Sequence, residues 1–79
     1  MSFKIGDRVK VVRAYVGAPG LLHKVGTVTS VDKYDGVSLN LDEPMDNGWQ
    51  FGIFITKAAQ GGLVLLSKAS FNLKSKYKF

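Results

Sequence analysis

Apolar and polar residues alternate without a fault in Val37-Ser38-Leu39-Asn40-Leu41, and no window of the chain repeats apolar residues at three-and-four spacing for three helical turns. Successive side chains of a strand point to opposite faces, so this alternation marks a strand with one buried face. Valine is abundant and nine glycines punctuate the 79 residues, which further disfavours helix. The chain is expected to be all-β.

Five strands can be placed. The first spans about residues 8–15, entered from Phe3, Ile5 and a turn at Gly6-Asp7. Val12 breaks its alternation; a bulge near Val11 and Val12 would restore it and leave Arg8, Lys10, Arg13 and Tyr15 on one face. After a loop at 16–23, the second strand covers 24–31 and turns at 32–36, where Asp35-Gly36 is a strong turn dipeptide. The third is 37–41. A polar loop at 42–48 leads to a fourth strand, 49–56, with Phe51, Ile53 and Ile55 on one face, Phe54 on the other, and both phenylalanines expected in the core. A single helical turn at 57–59 precedes the fifth strand, 63–67. In the last segment, 71–79, Phe71, Leu73, Tyr77 and Phe79 share one parity and Lys74, Lys76 and Lys78 the other, as in a closing strand or tail. Short strands with turns about every ten residues imply a small barrel or sandwich, and closing the sheet removes exposed edges.

The length allows one domain, residues 1–79, which buries only about 60% of the surface its unfolded chain exposes. There is no cysteine, so disulfides and thiolate metal sites are excluded and the apolar core must suffice. No apolar run approaches the roughly 18 residues of a membrane-spanning helix, and the first residues lack a signal-peptide pattern. A soluble, intracellular (cytoplasmic) protein is expected. The net charge of +5 is unevenly spread: +4 over residues 1–30, −4 over 31–50, and +5 with no acid over 51–79. A basic side and an acidic side follow if the two ends of the chain meet.

The run Phe3-Lys4-Ile5-Gly6-Asp7-Arg8-Val9-Lys10-Val11, a loop with Gly17 and Gly20, then Gly26-Thr27-Val28-Thr29-Ser30-Val31 and the alternating Val37 to Leu41 resemble the KOW motif. The resemblance covers about residues 3–41. It implies an all-β, five- to six-stranded Src-homology-3-like (SH3-like) barrel, as in ribosomal proteins and transcription elongation factors, and association with nucleic acid. Gly6 suits the turn before the first strand and Gly26 a close backbone approach. In the family the loop between the first two strands is short and often lysine-rich, whereas here it is longer and its tip, Val16 to His23, is apolar.

A non-enzymatic binding module is the expected function. Nucleic acid, DNA or RNA, would be held mainly by phosphate contacts from Arg8, Lys10, Arg13, Lys24, Lys74, Lys76 and Lys78, with Tyr15 and Trp49 available to stack on bases. Tyr34 and Tyr77 are further stacking candidates. The alternative is a protein-interaction adaptor or inhibitor docking on a larger, acidic partner through Leu21, Leu22 and Trp49; Leu21 and Leu22 could equally fold back over one end of the barrel. A structural subunit of an assembly is a third possibility, read by light scattering. His23 has no triad context, Asp42, Glu43 and Asp46 lack the spacing of a calcium loop, and the glycine loop lacks the Gly-Lys-Ser/Thr of a phosphate cradle. No catalytic residue, metal or cofactor is expected.

Overall fold

The computed structural model describes residues 3–68; residues 71–79, expected as a closing strand or tail, lie outside them. The strands are β1 (Arg8–Val11), β2 (Val25–Val31), β3 (Val37–Leu41), β4 (Ile53–Ile55) and β5 (Leu63–Ser67), with 3₁₀ turns at Pro19–Leu21 and Lys57–Gly62. They form one antiparallel sheet in the order β4-β3-β2-β1-β5. Among the described residues no ladder joins β4 to β5, so the sheet is open. The chain crosses from one edge to the other through the second 3₁₀ turn.

Alternation determines the buried face. Val9 and Val11 of β1, Val28 of β2, Val37, Leu39 and Leu41 of β3 and Ile53 and Ile55 of β4 form one core with Phe3, Leu21, Met45 and Leu63. The core is wholly aliphatic apart from Phe3 and Met45, so it is stabilised by transfer of branched side chains from water rather than by ring stacking. Gly26 lets β2 and β3 approach: a Cβ there would lie 2.8 Å from the Asn40 carbonyl oxygen. Gly6, at φ 93°, makes the turn before β1 as expected. In the β2–β3 turn Asp32 Oδ1 accepts from the amides of Tyr34 and Gly36 at 2.9 and 2.8 Å. The left-handed residue there is Asp35, at φ 67°. Gly36 stays small because the Phe54 ring lies against it.

Expectations for the first and fourth strands are corrected. β1 ends at Val11, not Tyr15: the Val12 amide donates to the Gly62 carbonyl at 2.8 Å and the chain turns away. The breaks in pairing fall instead in β5, where Leu66 is the extra residue against Arg8 and Val9, and in β2, where Thr29 is extra against β3. Arg13 and Tyr15 therefore do not share the strand face of Arg8 and Lys10. The fourth strand is only three residues long, because Gly48 and Gly52 adopt φ values of 87° and 70° and the Gly52 amide turns to Asn40 Oδ1 at 3.1 Å. Phe51, thrown out of phase with Ile53, is 64% exposed, and Phe54 is 50% exposed. Neither is in the core.

Candidate binding groove and the basic strand

Two loops and one 3₁₀ turn meet at the β4 side of the molecule. In the β1–β2 loop the amide of Ala18 donates to the Tyr15 carbonyl at 3.0 Å, closing a tight turn. Pro19 then opens the 3₁₀ turn whose last residue, Leu21, is 1% exposed and inserted into the core. His23, at φ 72°, returns the chain to β1 by donating its amide to the Val11 carbonyl at 2.8 Å. Leu21 thus folds over the end of the sheet, one of the two roles foreseen for it, and is buried at the base of the hollow described below. Leu22 is half-buried.

The β3–β4 loop is held by buried Met45, whose amide donates to the Trp49 carbonyl at 2.9 Å while the Trp49 amide donates to Asn47 Oδ1 at 2.8 Å. The indole N–H donates to the Phe51 carbonyl at 2.9 Å. With its one polar atom satisfied inside the loop, the ring of Trp49 is fixed in orientation yet 53% exposed. Opposite it, the Tyr15 hydroxyl donates to the Ala59 carbonyl at 2.6 Å, joining the β1–β2 loop to the second 3₁₀ turn. Partial burial raises the Tyr15 pKa above the usual phenol range, and the charge of nearby Arg13 opposes the shift. Gln60, buried in the same turn, donates to the Asp35 carbonyl at 2.6 Å and steadies this wall of the groove against the β2–β3 turn.

Between these elements lies a hollow of about 300 Å³ lined by Tyr15, Leu21, Met45, Trp49, Ile53 and Phe54 among others. Its floor is the edge of the core and its rim carries three aromatic rings. Exposed apolar surface gathered in a hollow makes this face a candidate for binding.

The basic candidates are distributed differently from their sequence pattern. Arg8 and Lys10 face outward from β1, but Arg8 forks onto Asp42, Nη1 to Oδ1 at 2.7 Å and Nη2 to Oδ2 at 2.5 Å, and Nη1 also donates to Thr27 Oγ1 at 2.9 Å. The hydrogen bond to Asp42 raises the Arg8 pKa, and the same bond from Arg8 holds the Asp42 carboxyl below the usual carboxylate range. Lys24 borders a hollow shared with His23, Asp42 and Glu43. Lys10 and Arg13 make no ion pair among the described residues. Tyr34 is exposed in the β2–β3 turn with Lys33 Nζ 5.3 Å from its ring centroid. Lys74, Lys76, Lys78 and Tyr77 lie outside the described residues.

Thus the fold brings Tyr15 and Trp49 together around one hollow, with Arg13 near Tyr15, and neither Arg8 nor Lys10 lines that hollow. Phe54 was missed as a surface residue, although its parity opposite Ile53 and Ile55 on a strand with two buried isoleucines was the available signal. Gln60 carried no signal, because its partners are carbonyls of distant segments. Among the described residues no group of three or more metal-ligating side chains occurs, and no helix is long and apolar enough to cross a membrane.

Comparison with protein-family models, with curated proteins and with solved structures finds no match to this chain.

Proposed function

We propose that the chain is a non-enzymatic binding module that docks on an acidic protein partner through the aromatic-rimmed groove. The observation that carries this reading is the fixed, half-exposed indole of Trp49 facing Tyr15 and Phe54 across an apolar floor. A pre-organised aromatic anchor loses little conformational freedom on binding, and such residues dominate interface energies. The overall charge of +5 favours a partner of opposite sign. The scaffold is read as a small barrel of the Src-homology-3 type resembling the KOW motif. Support comes from the strand order, the 3₁₀ crossing between the edge strands, the positive φ of Gly6 and the close approach at Gly26.

Nucleic-acid association is the second reading, favoured by Lys10 and Arg13, which make no ion pair among the described residues, and by the three lysines of residues 71–79. It is weakened at Arg8, whose charge is met by Asp42. Of the eleven basic residues eight lie within 3–68, together with all six acids, so most of the net charge belongs to the C-terminal lysines.

The two readings separate in one set of measurements. Tagged full-length chain, wild type and Trp49→Ala, is used to capture partners from the cells that express it, and both proteins are titrated with labelled duplex and single-stranded DNA and RNA at two salt concentrations. The docking reading expects a stoichiometric protein retained at high salt and weakened about 30-fold or more by Trp49→Ala. Micromolar, salt-sensitive nucleic-acid binding that survives Trp49→Ala and is lost with Lys10→Ala and Arg13→Ala would overturn it.

A further inference from the structure

The groove does not end at Trp49 and Tyr15. On one side it runs on past Ala18 and Trp49 into a hollow of about 260 Å³ bordered by Gly17, Pro19, Asp46 and Asn47. On the other it runs on past Tyr15 and Ala59 into a hollow of about 300 Å³ bordered by Arg13, Val16, Gly61 and Gly62. Adjacent hollows share lining residues, so the three follow one another as compartments of a trough, with the Tyr15–Ala59 hydrogen bond as the ridge between two of them. An unmatched charge stands at each end: Arg13 at one, Asp46 at the other, both exposed and neither in an ion pair among the described residues. Lys57, in the second 3₁₀ turn, is already offset by Asp35 at 3.6 Å.

We infer that the occupant of this trough is an extended peptide segment of the partner, with an acidic side chain against Arg13, a basic side chain against Asp46 and apolar side chains in the compartment between Trp49 and Tyr15. The inference rests on the docking reading above and gives the site its chemistry. An extended chain directs every second side chain to the same face, which matches successive small compartments better than one broad patch would. Gly17 and Gly61 leave open space where a side chain would stand, one beside each flanking compartment, so a peptide backbone can approach the walls closely. The two end charges set the direction and composition of the segment, because a segment with its charges exchanged would place like against like.

The test uses the full-length chain and a phage-displayed library of random nonapeptides, followed by titration of selected synthetic peptides. Emission of Trp49, the only tryptophan, reports occupancy. Arg13→Glu and Asp46→Lys lie on exposed positions, and circular dichroism checks that each variant is folded. The expected result is enrichment of peptides acidic at one end, basic at the other and apolar between, with a blue shift of the emission on binding. Arg13→Glu should weaken such a peptide about three- to tenfold and select peptides carrying a base where the acid stood. Peptides that shift the emission but show no charge preference, or are indifferent to both substitutions, would overturn the inference and leave the groove reading intact. Failure to select any peptide, while a folded partner is captured in a Trp49-dependent way, would overturn the extended segment alone. Failure of both would remove the docking reading with it.

Discussion

A methyl group on Gly26 would stand 2.8 Å from a backbone oxygen that cannot move without parting β2 from β3. Gly26→Ala is expected to cost about 2 to 3 kcal/mol, read as a lower urea midpoint. At Gly36 the obstacle is the ring of Phe54, a side chain rather than backbone. Gly36→Ala should therefore be destabilising in the wild type and milder in a Phe54→Ala background, and a double-mutant cycle measures that coupling. The fork between Arg8 and Asp42 is more than a third exposed on both sides, so solvent screening limits it to about 0.5 kcal/mol. Its pH dependence has a definite sign. Asp42 titrates lower when folded than unfolded, so the native state binds fewer protons in that interval and stability rises with pH across it. The contribution is fully present above the ordinary aspartate range and lost as pH falls through the folded value. Asp42→Asn should be less stable than wild type at pH 7 by urea unfolding, and the difference should shrink towards pH 3.

At the scale of elements, the β1–β2 loop divides its two leucines between different roles. Leu21→Ala empties a core position and should cost about 2 to 5 kcal/mol, whereas Leu22→Ala, half-buried, should cost much less. Thermal unfolding of the two variants side by side measures the contrast. The second 3₁₀ turn, Lys57–Gly62, is held by Gln60, whose amide reaches the Asp35 carbonyl in a turn 25 residues away. Gln60→Ala should cost about 1 to 2 kcal/mol by leaving that acceptor poorly solvated. Much at this scale was legible in the sequence. The bounds of β3 agree with period-two alternation and flanking turn residues, since it buries one face, and those of β5 agree with a short apolar run that follows Gly61-Gly62. β1 and β4 were overextended. Nothing in Val12-Arg13-Ala14-Tyr15 announces that the Val12 amide will pair with Gly62, and glycines inside a strand-like run leave open whether they bend the backbone. At Gly48 and Gly52 they do.

For the whole molecule the decisive quantity is where charge and apolar surface fall relative to each other. Replacing Lys74, Lys76 and Lys78 together by glutamine removes three of the five net charges. The expected outcome is a flatter salt dependence of any nucleic-acid binding, by up to about two to three in log–log slope, with no change in a partner or peptide bound at Trp49. A filter-binding titration over a salt series measures the first and Trp49 emission the second.

The sequence alone determined that this chain is built of strands, which face of β3 is buried, where the Asp35-Gly36 turn lies and that Gly6 turns the backbone before β1, because each follows from local periodicity and steric freedom. It also supplied the basic residues, but not their availability: Asp42 follows Arg8 by 34 positions, and only the pairing of β1 with β2 and β2 with β3 brings the carboxylate to the guanidinium. The same holds for the groove. Tyr15, Trp49 and Phe54 come from three separate segments, each with an ordinary reason to be buried, and alternation cannot say which rings a small core lacks room to enclose. Tertiary packing decided that, filling the interior with valine, leucine and isoleucine beside Phe3 and Met45 and leaving Tyr15, Trp49 and Phe54 around its open edge.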